Sequence, residues 1–404
     1  MKKQSLSALA AAGLLAGGLS VTSASAADLG GNCCADLEER IAELEATTAR
    51  KGNRKVSLTI SGWVAEQVTY WDDGVEDNVY VTGLGSTLAS NVKFTGQATI
   101  VPGWTAGYVL HIEADGSDAL TTSQGVPNGP GLLSGGFATG SSNFVQTMQS
   151  FWFIKSESLG KVSVGLQSMV SDNAAILVDG SGSLVPANWV AFDFRSFGAG
   201  GTAKTFGAFG AGGGTCIPGD CYGVPNNSVR YDSPTFAGFS ASASWGNDDI
   251  WDVGLRYAGE VVGFKLAATV VYAERNVGAT DDEYLQAGLY IQHIGTGLFG
   301  LVNYADFEDN TAAADDGEVW YFKAGLRQRW TPLGHTVLYG EYLQSEADGV
   351  AQNELEWYGA GIVQEIDNAA MSLWLKYRNI EASDNTGVNY EDFNEVTFGA
   401  LINF

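Results

Sequence analysis

From Lys55 onward, apolar and polar residues alternate with a period of two. In Lys55–Val64, Val56, Leu58, Ile60, Gly62 and Val64 share one face, while Ser57, Thr59, Ser61 and Trp63 share the other. Val92–Ile100 sets Val92, Phe94, Ala98 and Ile100 against Lys93, Thr95, Gln97 and Thr99. The alternation recurs in Ala237–Trp245, Asp252–Tyr257, Phe264–Tyr272, Tyr321–Trp330 and Met371–Arg378, and it closes the chain in Glu395–Phe404. In Met371–Arg378, Ser372, Trp374, Lys376 and Arg378 oppose Met371, Leu373, Leu375 and Tyr377. A period of two predicts β-strands with one apolar face.

Two kinds of break separate these strands. Short turns fall at Val101-Pro-Gly, Ser158-Leu-Gly, Ala258-Gly-Glu, Thr331-Pro-Leu-Gly and Ile366-Asp-Asn. Longer, acidic loops fall at Asp72–Asp77, Ala114–Asn143, Thr280–Glu283, Asp306–Glu318, Ser345–Glu354 and Ala382–Glu391. Turns on one side and loops on the other, with about sixteen strands between them, are the layout of a closed outer-membrane barrel. No apolar run approaches the roughly 18 residues of a membrane helix. In lipid the other way to satisfy the backbone is closed strand pairing. A soluble sandwich also alternates, but it would not set isolated lysines and arginines opposite so many aromatic-ended apolar stripes.

One stretch does not alternate. Met169–Asn226 spans 226 − 169 + 1 = 58 residues, long for a connection without structure of its own unless the loop is functional. It carries Asp172, Asp179 and Asp193, then Arg195 and Lys204, a glycine run, and Cys216-Ile-Pro-Gly-Asp-Cys221. Cys216 and Cys221 are candidates for a disulfide across the Pro218-Gly219 turn, the alternative being two free thiols.

Ahead of the strands, residues 1–26 read as a signal peptide: Lys2-Lys3, an apolar stretch from Leu6 to Leu19, and Ala24-Ser25-Ala26 as the cleavage site. Cleavage would leave Ala27 as the mature N-terminus. Within residues 27–54, Cys34, Leu37, Ile41, Leu44 and Thr48 step by three and four. That spacing predicts a short periplasmic helix whose seam of Leu37, Ile41 and Leu44 forms a parallel coiled coil, or alternatively packs on its own barrel. Cys33 and Cys34 stand at its head, where pairing between chains is the expected use if they are oxidised. The barrel is assigned to residues 55–404, with 169–226 as an inserted loop.

The formal charge is −25, from 21 basic and 46 acidic residues. Loss of Lys2 and Lys3 gives 19 − 46 = −27 for the mature chain. Such a surface disfavours nucleic acid, whose phosphates need lysine and arginine patches. It favours a cation-attracting field that weakens with salt. His111, His293 and His335 fall on or beside different strands, so no metal site is expected. No nucleophile elbow, phosphate loop or paired CxxC is present. Neither an enzyme nor a bound cofactor is expected.

The chain resembles a family at this point. The leader, the block Cys34 to Val56, the following Ser57-Leu-Thr-Ile-Ser-Gly62, Val229-Arg-Tyr-Asp-Ser-Pro234 and the ending Val396 to Phe404 resemble alphaproteobacterial, rhizobial-type general porins of the outer membrane. The resemblance implies an all-β, 16-stranded antiparallel transmembrane β-barrel, a homotrimer, with passive diffusion of small hydrophilic solutes and ions. It implies that the third extracellular loop folds into the lumen. By strand order that loop is 169–226, which follows the fifth strand. In such porins an acidic inner loop faces basic residues on the wall. Carried over, Asp172, Asp179 and Asp193 are the loop acids, and Lys93, Arg230 and Arg256 the wall bases. The chain departs from the pattern at Gln149, where enterobacterial relatives carry an arginine. The terminal Phe404 is the expected signal for the barrel-assembly machinery. Outer-membrane lipid and lipopolysaccharide are the expected surroundings. Ala27-Asp28 matches the mature N-termini through which related porins are joined to peptidoglycan.

The expected function is therefore a water-filled, cation-preferring diffusion channel. Two alternatives stand beside it. One is a substrate-specific sugar or amino-acid channel, which would show an aromatic track; Trp63, Trp189 and Trp374 are its candidates. The other is a structural envelope tether or adhesin.

Overall fold

The computed structural model describes residues 55–404 except 86, 115, 128–144, 191–192, 215, 222, 248, 278–279, 312–315 and 350. The leader, the N-terminal helix with its seam, and Ala27 lie outside the described residues.

Seventeen strands make one antiparallel sheet: β1 (Thr59–Asp72), β2 (Asp77–Thr82), β3 (Ser90–Val101), β4 (Trp104–Ala114), β5 (Val145–Ser156), β6 (Gly160–Gln167), β7 (Asn226–Asp232), β8 (Phe239–Gly246), β9 (Ile250–Val261), β10 (Phe264–Val277), β11 (Thr280–His293), β12 (Leu298–Asp309), β13 (Gly317–Thr331), β14 (Gly334–Ala347), β15 (Asn353–Ile366), β16 (Met371–Ser383) and β17 (Phe393–Asn403). Among the described residues these strands fill sixteen positions in the wall. β2 pairs the upper half of β1, from Gln67↔Thr82 to Asp72↔Asp77, and β3 pairs the lower half, from Thr59↔Thr95 to Trp63↔Asn91. The second wall strand is thus interrupted by residues 83–89, whose Leu84 and Leu88 are buried.

The sheet closes on itself through β1 and β17, in register from Trp63↔Asn403 to Asp72↔Asn394. Closure leaves no edge to pair with another chain. The last residue completes the seam: Gly62 and Phe404 exchange backbone hydrogen bonds of 3.0 Å each way. Gly62 has to be glycine there, since an added Cβ would stand 2.1 Å from the Asn91 carbonyl oxygen and 2.9 Å from the Phe404 ring.

The barrel is apolar outside. Val64, Val68, Val270, Leu289, Phe322, Leu338, Leu375 and Phe398 are exposed on its outer face, while their strand neighbours Lys323, Lys376, Glu341 and Thr397 are buried inside. Aromatic residues fringe the outer stripe, among them Trp152, Trp245, Trp320, Trp330, Tyr358 and Tyr377. No helix among the described residues is long and apolar enough to cross a membrane.

Several strands run further than the sequence pattern suggests. Thr280–Glu283 lies within β11, and Asp306–Asp309 and Ser345–Ala347 extend β12 and β14. Above the lipid a hairpin needs no apolar face, so alternation fades while pairing continues. Tyrosine–glutamate hydrogen bonds hold this outer zone, Tyr272 Oη to Glu283 and Tyr342 Oη to Glu356, each 2.6 Å.

Candidate functional site

The segment between β6 and β7 sits inside the barrel. β6 is the fifth wall strand, because β2 and β3 share one position. Among its described residues the segment holds only single turns of helix: 3-10 turns at Ile176–Val178, Ala199–Gly201, Phe206–Phe209 and Ala211–Gly214, and a π-helical turn at Leu184–Trp189. Its glycines keep the chain from a regular element and let it lie close to the wall. Where it crosses β11, a Cβ on Gly288 would stand 2.5 Å from the Ala175 carbonyl oxygen.

Apolar side chains pack its second half. Phe194, Phe197, Phe206 and Phe209 are almost fully buried. The Phe197 ring lies 4.9 Å from both Trp71 and Phe393, and Phe206 lies 5.5 Å from Phe393. Fully burying each such side chain contributes roughly 1.5–3 kcal/mol. The barrel therefore has its hydrophobic core in part of the lumen.

Ions pin the middle of the segment to the far wall. Lys323 of β13 pairs with Asp179, both side chains fully buried, and its Nζ donates to Asn188 Oδ1 at 2.7 Å. Lys376 of β16 reaches Asp193 at 2.6 Å and Glu395 of β17 at 3.0 Å. Arg378 bonds Glu341 of β14 at 2.7 Å and donates to the Val190 and Ala187 carbonyls at 3.0 and 2.6 Å. Each buried charge has a partner of opposite sign, as burial requires. Lys204 fastens the next stretch, at 2.6 Å from Asp384 and 2.7 Å from Asn353.

Both ends of the segment are fixed too. Ser171 donates through its amide and hydroxyl to Asp252 of β9, at 2.8 and 2.7 Å. Arg230 of β7 takes the Ser168 and Met169 carbonyls at 2.9 and 3.1 Å, and Arg256 of β9 takes Val170 at 2.8 Å. Cys216 and Cys221 form a disulfide, both buried. The Asp220 carboxylate inside that turn accepts from the Asn173 amide at 3.0 Å, tying the exit to the entry.

Among the described residues a cavity of about 170 Å³ lies between the segment and the opposite wall, β3 to β10. Lys93, Arg230 and Arg256 line it together with Asp172. The wall register explains part of that row: Lys93 on β3 faces His111 on β4, which faces Gln149 on β5, so the three are cross-strand neighbours. Gln149 Nε2 donates to Ser168 Oγ at 3.1 Å. Burial pushes the Asp172 carboxyl up to about 6, against the opposing pull of hydrogen bonds from Ser168 and Asn173 and the charge of Arg230.

The six residues nominated as a constriction thus separate into two groups. Asp172, Lys93, Arg230 and Arg256 share the cavity. Asp179 and Asp193 are buried at the other side, each in an ion pair. Their partners Lys323, Lys376 and Arg378 stood on the polar face of the alternating pattern, but sequence spacing gives no account of which strand a loop acid will meet. Trp63 and Trp189 also meet at the cavity, ring centroids 5.8 Å apart. Trp374 does not join them; it packs on Gly399 of β17. No group of three or more metal-ligating side chains exists among the described residues.

The fold is similar to solved outer-membrane channels. An anion-selective porin from Comamonas acidovorans matches with a TM-score of 0.59 at 15% identity, over 86% of this chain and 100% of that one. OmpT of Vibrio cholerae in a trimer form matches at 0.53 and 12% identity, over 86% and 99%. OmpF of Salmonella typhi in complex with daunomycin matches at 0.51 and 12%, over 88% and 99%. A comparison with curated proteins found no match. The model of the Gram-negative porin family matches residues 7–400, so the chain belongs to the Gram-negative porins, outer-membrane β-barrels that pass small hydrophilic solutes passively.

Proposed function

We propose that solutes and ions cross this barrel through the gap between the inserted segment and the β3–β10 wall, and that the gap's own charges decide what passes. The observation that carries this reading is the division of charge inside the lumen. Asp179 and Asp193 are neutralised in buried pairs, whereas Lys93, Arg230 and Arg256 line the cavity with Asp172, its one carboxylate among the described residues. Arg230 is paired with Asp232 at 2.9 Å, so the excess is Lys93 and Arg256, which make no ion pair among the described residues, against one anion; it favours anions locally. The cation preference expected from the total charge rests on acids spread over the chain. Those at the outer rim act through water, where a Debye length of about 8 Å screens them.

The finer identity is part of the same proposal: a rhizobial-type general porin acting as a homotrimer amid outer-membrane lipid and lipopolysaccharide. Phe404 serves as the assembly signal, and a periplasmic coiled coil is carried ahead of the barrel. Attachment of Ala27 to peptidoglycan belongs to it as well; digested sacculi without a muropeptide on Ala27 would refute that part. A planar-bilayer recording tests the whole. Stable, ohmic conductance steps are expected; negligible conductance after reconstitution would instead support a structural tether.

A substrate-specific reading is favoured by one observation, the pairing of Trp63 with Trp189 in the cavity.

A further inference from the structure

We propose that the cavity is a binding subsite for aromatic carboxylates, in which the ring of the solute stacks on Trp63 and Trp189 while its carboxylate meets Lys93 and the two wall arginines. This rests on the reading of the cavity as the passage, and it adds a ligand class to it.

Three observations support it. First, the two indoles are arranged as a platform. Their centroids lie 5.8 Å apart at an interplanar angle of 47°, and the His111 ring meets Trp63 edge-on at 6.5 Å and 70°. Trp63 is held in place by its Nε1, which donates to the Leu88 carbonyl at 3.2 Å. That bond leaves the ring face as an apolar surface beside the charged side chains of the lining. Aromatic rings prefer such tilted and offset contacts.

Second, the site holds polar groups with nothing to bond. Both ring nitrogens of His111 are buried without a hydrogen-bond partner among the described residues, as is the Trp189 indole nitrogen. His111 is only 7% exposed, and it lines the cavity. A buried polar group without a partner costs free energy until something supplies one. A carboxylate accepts from an imidazole N–H and an indole N–H alike.

Third, the charge is matched to one anionic group. Lys93 makes no ion pair among the described residues, and Arg256 makes none, spending one Nη2 bond on Val170. Arg230 is already engaged by Asp232 at 2.9 Å. The cavity's 170 Å³ gives room for on the order of ten waters, the scale of a single-ring solute. A sugar would also stack on indoles, but its many hydroxyls need acceptors. Here the one side-chain carboxylate on the lining among the described residues is Asp172, already accepting from Asn173.

The test is ion-current recording on the full-length protein in a planar bilayer, with benzoate added at fixed ionic strength. Benzoate should reduce the open-channel current saturably, while acetate and maltose at the same concentrations should not. Trp63→Ala should raise the half-blocking concentration about tenfold, the loss of one aromatic contact. Lys93→Gln should weaken block by benzoate as well. An open, anion-preferring channel that benzoate leaves unblocked overturns the subsite and leaves the passage reading standing. Block by maltose but not benzoate overturns it in favour of sugar binding. An anion-preferring channel whose benzoate block survives Trp63→Ala unchanged also overturns it. Absence of conductance, or cation preference unaltered by Lys93→Gln, overturns the passage reading and the subsite with it.

Discussion

Lys376 Nζ lies 2.6 Å from Asp193 Oδ2, although 183 positions separate the two residues in the chain. The bond joins the fifteenth wall position, β16, to the middle of the inserted segment, and it explains why the segment stays on one side of the lumen. Around it, Lys323, Lys376 and Arg378 meet Asp179, Asp193, Glu341 and Glu395, all of them buried. The acids there act as anchors, and the charge left facing the passage comes from the opposite wall.

Breaking an anchor should both destabilise and loosen the channel. Lys323→Met leaves Asp179 buried without its cation, a change that costs about 3–5 kcal/mol when one partner of a buried pair is removed. Thermal unfolding followed by circular dichroism should show the loss, and single-channel conductance should rise or become noisy. Wild-type melting with steady wild-type conductance would mean the pair does not hold the segment.

Lys93 offers the cleanest change in selectivity, because it makes no ion pair among the described residues. Lys93→Gln should shift the reversal potential in a salt gradient away from anions, with little change in melting temperature. The corresponding change at Arg256 should act in the same direction, but it also removes the bond to Val170 and should cost stability as well. A reversal potential untouched by Lys93→Gln would place the conducting path elsewhere.

The pH response follows from Asp172. Its carboxyl, pushed up to about 6 by burial, is neutral below that value and anionic above it. Lowering the pH from 7 to 5 therefore removes the negative charge of Asp172 from the cavity lining and should strengthen anion preference. The sign for folding runs the same way: a carboxyl raised by burial favours the folded state most at low pH and loses that contribution as pH rises through 6. In Asp172→Asn the selectivity step between pH 5 and 7 should vanish. A step that persists in this variant would assign it to another group.

The disulfide carries a prediction of its own. Cys216 and Cys221 close a turn of a few residues, for which loop entropy gives a stabilisation of roughly 2 kcal/mol. Replacing both by serine should lower the unfolding free energy by about that amount and free the Asp220 contact with Asn173. Equal stability of the two proteins would show that wall contacts alone hold the exit of the segment.

Much of the barrel was legible because the pleat has a period of two and lipid enforces it. Lys93 between Val92 and Phe94, or Lys376 between Leu375 and Tyr377, already told which face was wet. The broken second strand was not legible, since residues 83–89 look like an ordinary loop until β2 and β3 are seen to share β1 as a partner. Nor was the fate of each loop acid. Asp172, Asp179 and Asp193 are alike in sequence, yet one faces the cavity and two are sealed in ion pairs. That outcome depends on where a segment without periodicity meets strands more than a hundred residues away. Trp63 and Trp189 were visible as candidates for a track, but their contact exists only because the π-helical turn at Leu184–Trp189 places the second indole over the first strand.

The central claim is that the lining of the gap, rather than the total charge of −25, sets selectivity. It is tested most directly by the zero-current potential of the reconstituted wild-type protein across a KCl gradient at pH 7. The account predicts the sign of an anion-preferring channel, strengthened at pH 5. A potential of the opposite sign, cation-preferring at both pH values, would contradict it.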